Sequence, residues 1–399
     1  MIVIRAKSNI VLGFLSFLAL MALIAVEYSK TDVKQDWYNE KIAAAELSEK
    51  AANYIKEYRL DKGVFIDNVN DPNNTALIGQ EFSLITTDRG NIEAKLTSTN
   101  PNFAAVIVQL LKDAGVKKGD NVAVAMTGSF PAMNISVLAA IEILELNPVI
   151  ISSVGASNWG ANDPYFTWLD MENLLYKAGI FHNRSIAASI GGGNDRGRGL
   201  SPKGRTLIKK AIKRNNVEFI NEEFLESSIN KRLNIYNKYS NNNIKAYINI
   251  GGGIASLGNT VNGKIISTGL TTDLSMKNFP AHGVIIQMGK KGVPIIHLLN
   301  INNLADKHGL KKSPVPLPEP GTGEIFTQKK YSITITLIAV VILVIVILII
   351  YVSESKVHKL GSLITGAENE KNNNLIDLRK SMSNRINSKI IKFKPKKYS

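Results

Sequence analysis

The sequence predicts an α/β fold: a parallel, Rossmann-like sheet with helices on both faces, flanked by N- and C-terminal transmembrane helices. Three observations carry this expectation. Short apolar runs alternate with amphipathic segments through the middle of the chain, the pattern of strand and crossover helix. The connections between them are short and rich in Gly, Ser and Asn. Two uncharged apolar runs stand near the ends of the 399-residue chain.

The first run, Ile10 to Val26, has 17 residues and no charge. It is short for a bilayer core of about 30 Å, so a cleaved signal peptide competes with an anchor. Leu23 stands two places before Ala25, a poor small-residue cleavage site, which favours the anchor. The second run, Ser332 to Val352, has 21 residues and nothing more polar than Ser, Thr and Tyr. Basic residues set the orientation. Arg5 and Lys7 precede the first run, and the segment from Ser353 holds 11 basic residues against 4 acidic. Residues 1–9 and 353–399 are therefore expected in the cytoplasm and the middle outside, across a cytoplasmic membrane. The basic tail reads as a membrane-surface or solvated segment facing lipid, with no nucleic-acid role.

Between the spans, residues 31–62 read as an amphipathic stalk helix. Trp37, Ala44, Leu47, Ala51, Tyr54, Ile55 and Tyr58 recur at helical spacing, with Thr31 or Asp32 as its cap. It would pack on the domain or on a partner's helix. The turn-rich "DNVNDPNN" of Asp67 to Asn74 follows. A domain over 80–312 then alternates. Helices are predicted at Pro101–Ala114, Pro131–Leu146, Thr167–Ala178, Pro202–Arg214 and Glu222–Tyr239. Strands are predicted at Asn121–Met126, Pro148–Val154, Ser185–Ile190, Val217–Ile220 and Lys245–Ile250, with Gly283–Gln287 and Pro294–Leu299 as late additions. Residues 313–330 open on "SPVPLPEP", a stiff polyproline spacer that would hold the domain off the bilayer.

Charge is +15, which points to an anionic partner. Cysteine is absent, which removes disulfides, thiolate metal sites and cysteine nucleophiles. The five histidines form no metal-binding spacing and no metal is expected, while any cofactor stays unknown from the sequence. In a parallel sheet, ligands gather where loops leave the strand C-termini. Four such loops are unusual: Thr127–Asn134 (TGSFPAMN), Ser152–Asp163 (SSVGASNWGAND), Gly191–Ser201 (GGGNDRGRGLS) and Gly251–Asn259 (GGGIASLGN). Glycine permits close backbone approach, and helix starts present free N–H groups to anions. Candidate binding residues are Gly128, Ser157, Asn158, Asn162, Gly192, Gly193, Asp195, Arg196, Arg198, Gly252 and Gly253. Candidate reacting groups are Ser129, Ser153 and Asp163. A helix cap is the preferred reading of Ser129. Asp170 and Glu172 are possible bases that do not share a helix face. The chain has no phosphate-loop motif, no dinucleotide fingerprint after the first strand and no G-x-S-x-G elbow.

The strings "SVGASNWGANDPYFTWLDME" (Ser153–Glu172) and "RSIAASIGGGNDRGRGLSPKGR" (Arg184–Arg205) resemble the poly-gamma-glutamate system protein family. The likeness extends over most of the chain, spans included. It implies a membrane component of poly-γ-glutamate synthesis, export or surface retention. Its partners would be the polymer and the membrane subunits of its synthase. The family brings no catalytic residue to transfer. Two functions stay open, a binding component and an extracytoplasmic hydrolase or amide transferase. A weaker third is a nucleotide or sugar-phosphate binder.

Overall fold

The structure, a computed structural model, describes residues 8–274 and 278–390. Arg5, Lys7 and the last basic residues of the tail, on which the expected orientation partly rests, lie outside the described residues. In chain order the elements begin with α1 (Asn9–Tyr28), β1 (Thr31–Lys34), α2 (Tyr38–Asp61), β2 (Thr86–Asp88), α3 (Ile92–Ser98) and α4 (Phe103–Asp113). Next come β3 (Asn121–Thr127), α5 (Pro131–Ile143), β4 (Asn147–Ser153), β5 (Ala156–Ser157), α6 (Trp168–Lys177), β6 (Ala187–Ser189), α7 (Pro202–Arg214) and β7 (Glu218–Ile220). They continue with α8 (Leu225–Tyr239), β8 (Ile244–Ile250), α9 (Ile254–Leu257), α10 (Asn262–Ile265), β9 (Gly269–Thr271) and α11 (Val284–Lys290). The last are β10 (Ile295–Leu298), α12 (Ile301–Lys307), β11 (Thr327–Lys330) and α13 (Ile333–Ile390).

They form two units, 34–328 and the pair of terminal segments 1–33 and 329–399. In the terminal unit, α1 and α13 are long and apolar enough to cross a membrane. They run antiparallel. Tyr331 donates to Glu27 Oε2 at 3.1 Å, and Ser332 N to Ser29 Oγ at 3.3 Å, joining the end of α1 to the start of α13. The expected tail continues α13 as exposed helix through Arg385.

The 34–328 unit is built on a seven-stranded sheet of order β7-β6-β4-β3-β8-β10-β9. All neighbours are parallel except β9, which runs against β10. Val124 pairs with Ile150 on one side and Ile248 on the other. The central strands are mostly apolar because helices cover both faces. Val122, Val124 and Met126 point into a core with α4, α5 and α12, while Ala123 and Ala125 point into one with α8 and α11. A third cluster packs α7 under β6. Chain order reverses between β3 and β8, so their C-terminal loops flank a switch point.

Three expectations change. The stalk helix starts at Tyr38, not Thr31: residues 31–34 are β1, which pairs with β11, and Trp37 (φ 56°) stands at the N-cap in place of Thr31 or Asp32. Of the two packings expected for this helix the structure shows the one on the domain, with Ala44, Ala45, Ala51 and Ile55 fully buried against α4 and α5. Small side chains on α2 and α5 let the two helices approach closely. The proline-rich segment is no spacer. Asn73 donates to Pro314 O at 2.7 Å, Ser313 N to Thr97 Oγ1 at 3.0 Å and Gly321 N to Asn102 Oδ1 at 3.1 Å. Ile325 and Phe326 then enter the core. Last, Gly283–Gln287 is not a strand but the start of α11, whose Val284, Ile285, Ile286 and Met288 are all buried. A short apolar run carries no period that separates the two states.

Because α2 packs over α4 and α5 and 313–328 completes the same core, a fragment spanning only 80–312 should show no cooperative thermal transition, whereas 34–328 should melt as one unit. Ile55→Ala should cost about 3 kcal/mol by opening a cavity at a fully buried position. Circular dichroism melts check both; a cooperative melt of 80–312 would show the added segments to be dispensable.

Candidate functional site

A cleft of about 590 Å³ opens at the C-terminal ends of the parallel strands. Ser129 and Phe130 after β3 and Gly252 and Gly253 after β8 flank the switch point. Ser153, Gly155 and Ser157 follow β4, Gly192, Gly193 and Arg198 follow β6, and Asn300 and Asn302 follow β10. The remaining wall is the β2–α3 connection, with Asp88, Arg89 and Lys95. Two arginines and a buried lysine therefore share this cleft with one carboxylate.

The loops reach this edge because glycine lets them pass one another. A Cβ on Gly128 would lie 2.5 Å from Val154 O, and one on Gly251 (φ +84°) would lie 2.5 Å from Thr127 Oγ1. Any larger residue would push β3 from its neighbours at the switch point.

Ser129, Ser153, Ser157, Gly192, Gly193, Arg198, Gly252 and Gly253 line the cleft, as four loops converging there would require. Gly128 packs just behind it. The other candidates are engaged elsewhere. Asn158 accepts from Gly90 N at 3.0 Å and donates to Glu81 O at 2.6 Å. Asn162 accepts from Gln80 N at 3.0 Å and donates to Gln80 O at 2.6 Å. Together they fasten segment 80–90 to the second loop. Asp163 caps a turn by accepting from Tyr165 N at 2.9 Å, and Arg196 donates to Glu223 O at 3.1 Å. Asp170 closes a capping box with Thr167 and pairs with Arg214. Glu172 is fully buried and accepts from Ser185 Oγ at 3.1 Å; desolvation pushes its carboxyl up to about 7.

Asp195 is not a ligand-binding acid. It forms a 3.0 Å ion pair with Arg232, both buried, and accepts from Ser189 Oγ and Ser228 Oγ at 2.6 Å each. A buried pair survives only when its remaining lone pairs and protons are met in this way. The pair ties the third loop to α8. It also occupies Ser153, whose Oγ receives a hydrogen bond from Arg232 at 3.2 Å. The carboxylate near it, Asp195 Oδ1 at 3.4 Å, is held in the ion pair with Arg232 and is thereby a weak base. Ser129 is not a helix cap either: Phe130 stands at the N-cap of α5, and Ser129 Oγ accepts from Ser157 N at 3.0 Å.

The side chain that sequence reading missed is Lys95. It sits on α3, a helix of 7 residues capped by Asn91, too short to show a period. It is 2% exposed. Its Nζ donates to Ser129 O and to Ser157 Oγ, the latter at 2.9 Å, and lies 3.8 Å from the centre of the Phe130 ring. Burial without a compensating carboxylate pushes its pKa down from 10.5 to about 7. The ring face opposes that shift in part. Lys95 is thus an amine half-neutral near pH 7, touching a serine at a cleft wall. Among the described residues, no cluster of His, Asp or Glu side chains is arranged to hold a metal ion.

No family model matches the chain, and comparison with curated proteins and with solved structures gives no match.

The unfolded chain keeps the Lys95 proton up to about pH 10.5, while the folded chain releases it near 7. The unfolded state therefore binds more protons between these values, and the contribution of Lys95 to stability rises as pH climbs from about 7 to 10.5. Lys95→Met should flatten that rise. Thermal melts of both proteins from pH 6 to 10.5 check it; parallel curves would show that the amine keeps its ordinary pKa.

Proposed function

We propose that the chain is a membrane-anchored component of a poly-γ-glutamate synthesis or export system, and that its α/β unit binds the anionic polymer in the cleft at the strand ends. The observation that carries this reading is the cleft itself: Arg89, Lys95 and Arg198 line it against the single acid Asp88. An arginine presents paired N–H donors to a carboxylate. A γ-linked glutamate chain carries about one ionised carboxylate per residue at neutral pH, so it offers repeated partners to such a wall. Two further features support the reading. The sequence strings that resemble the poly-γ-glutamate system proteins include the second and third cleft loops, with Ser153, Ser157, Gly192, Gly193 and Arg198 on the wall.

Helices α1 and α13 supply the anchor. Two spans put the chain between them on one side of the bilayer, and the basic ends favour the outside for it. There the unit would meet a polymer as it leaves the synthase. The membrane subunits of that synthase are the proposed protein partners.

Arg89→Ala with Arg198→Ala should weaken poly-γ-glutamate binding about 10- to 100-fold, since each lost charge-assisted contact is worth roughly 1.5–3 kcal/mol before solvent screening of these exposed side chains. Binding to the full chain in detergent, measured by fluorescence anisotropy of labelled polymer, should also weaken as salt rises from 50 to 500 mM. Unchanged affinity in the double variant would remove the cleft from the reading.

A further inference from the structure

We propose that Ser157 and Lys95 form a serine–lysine acyl-transfer pair in the cleft wall, cutting or transferring the amide links of the bound chain. The choice of substrate rests on the polymer reading above; the pair itself rests on its own geometry.

A catalytic serine needs a fixed hydroxyl, an open approach and a base that is neutral when substrate arrives. Ser157 meets the first two. Its N–H donates to Ser129 Oγ at 3.0 Å, and Ser157 of β5 stands opposite Asp88 of β2 just past a register shift, so the backbone is held from both sides. Its side chain nevertheless lines the cleft. Lys95 meets the third. Its Nζ is 2.9 Å from Ser157 Oγ, enclosed by the Ser129 carbonyl and the Phe130 ring, and no carboxylate pairs with it among the described residues. With the amine neutral, the hydroxyl donates to it. Ser129 and Ser153 lack this arrangement: the first accepts from a backbone N–H, the second from Arg232.

The step balances with water alone. Ser157 Oγ bonds to the amide carbonyl carbon as its proton passes to Lys95 Nζ. The C–N bond then breaks, and the departing amine takes that proton from Lys95. The acyl group remains as an ester on Ser157. Water attacks the ester, giving one proton by way of Lys95 back to Ser157 Oγ; the carboxylic acid released ionises and its proton passes to the freed amine or to solvent. An amine acceptor in place of water would give transfer instead of hydrolysis. Arg89 and Arg198 would hold carboxylates on either side of the reacting link.

The test uses the full chain in detergent, an alkyl fluorophosphonate as probe, and poly-γ-glutamate of defined length. We expect a phosphonyl adduct on Ser157 by peptide mass spectrometry, and polymer shortening followed by light scattering. Both rates should rise with pH through about 7 and fall at least about 100-fold in Ser157→Ala and in Lys95→Met, the scale of a lost general base. Lys95→Arg decides between chemistry and architecture. It keeps the positive charge and the donors but takes up no proton, so it should be as inactive as Lys95→Met. Labelling in Lys95→Arg at the unaltered rate, or no adduct on Ser157 in protein that melts normally, overturns the pair. Labelling that depends on Lys95 in a chain that neither binds nor cuts poly-γ-glutamate would uphold the pair and sink the polymer reading.

Discussion

A parallel sheet sealed by helices on both faces leaves only its edges open, and this constraint shapes the α/β unit. Apolar side chains along β3, β4 and β8 are committed to the two cores, and only the strand ends, such as Ser153, reach the cleft. Chemistry is therefore left to the loops at the strand C-termini, where the order reverses between β3 and β8. The glycines of these loops follow from the same constraint. Strands spaced by a hydrogen-bonded ladder deliver their loops to one place, and Gly128 and Gly251 pass where a Cβ would meet a neighbour at 2.5 Å.

Two buried cations at this edge show how similar charges serve different ends. Arg232 is matched by Asp195, with Ser189 and Ser228 donating to the carboxylate and Arg232 Nη2 donating to Ser189, and fixes the third loop to α8. Lys95 has no such match, only a carbonyl, a hydroxyl and a ring. An ion pair stabilises the charged form of both partners; burial beside neutral groups favours the uncharged amine. The first arrangement builds a wall and the second leaves a reactive group in it.

Segments distant in the chain complete the same body. Helix α2 and the proline-rich stretch lie at opposite ends of the 34–328 unit, yet Lys41 of α2, fully buried, donates to Ile325 O at 3.1 Å. The heptapeptide-like rhythm of Ala44, Ala51 and Ile55 was visible as a helix, but small apolar residues suit a helix interface within one domain as well as one between partners. A proline run is stiff wherever it lies; whether it spans solvent or a protein surface depends on acceptors such as Pro314 O finding donors such as Asn73.

By itself, the sequence determined the alternation of strand and helix, the two apolar terminal helices and the four loops that meet at the cleft, because these follow from local period, length and composition. It also marked Ser157, Arg198 and the paired glycines as lining candidates through their loop positions. Tertiary structure alone decided the rest. It turned Arg196 and Asp163 away, locked Asp195 to Arg232, made α11 a helix, and brought Lys95 from a 7-residue helix onto Ser157, 62 positions along the chain. The physical reason is that a side chain's burial and partners are set by what folds over it, and for a lysine those two quantities decide whether it is a solvated charge or a base.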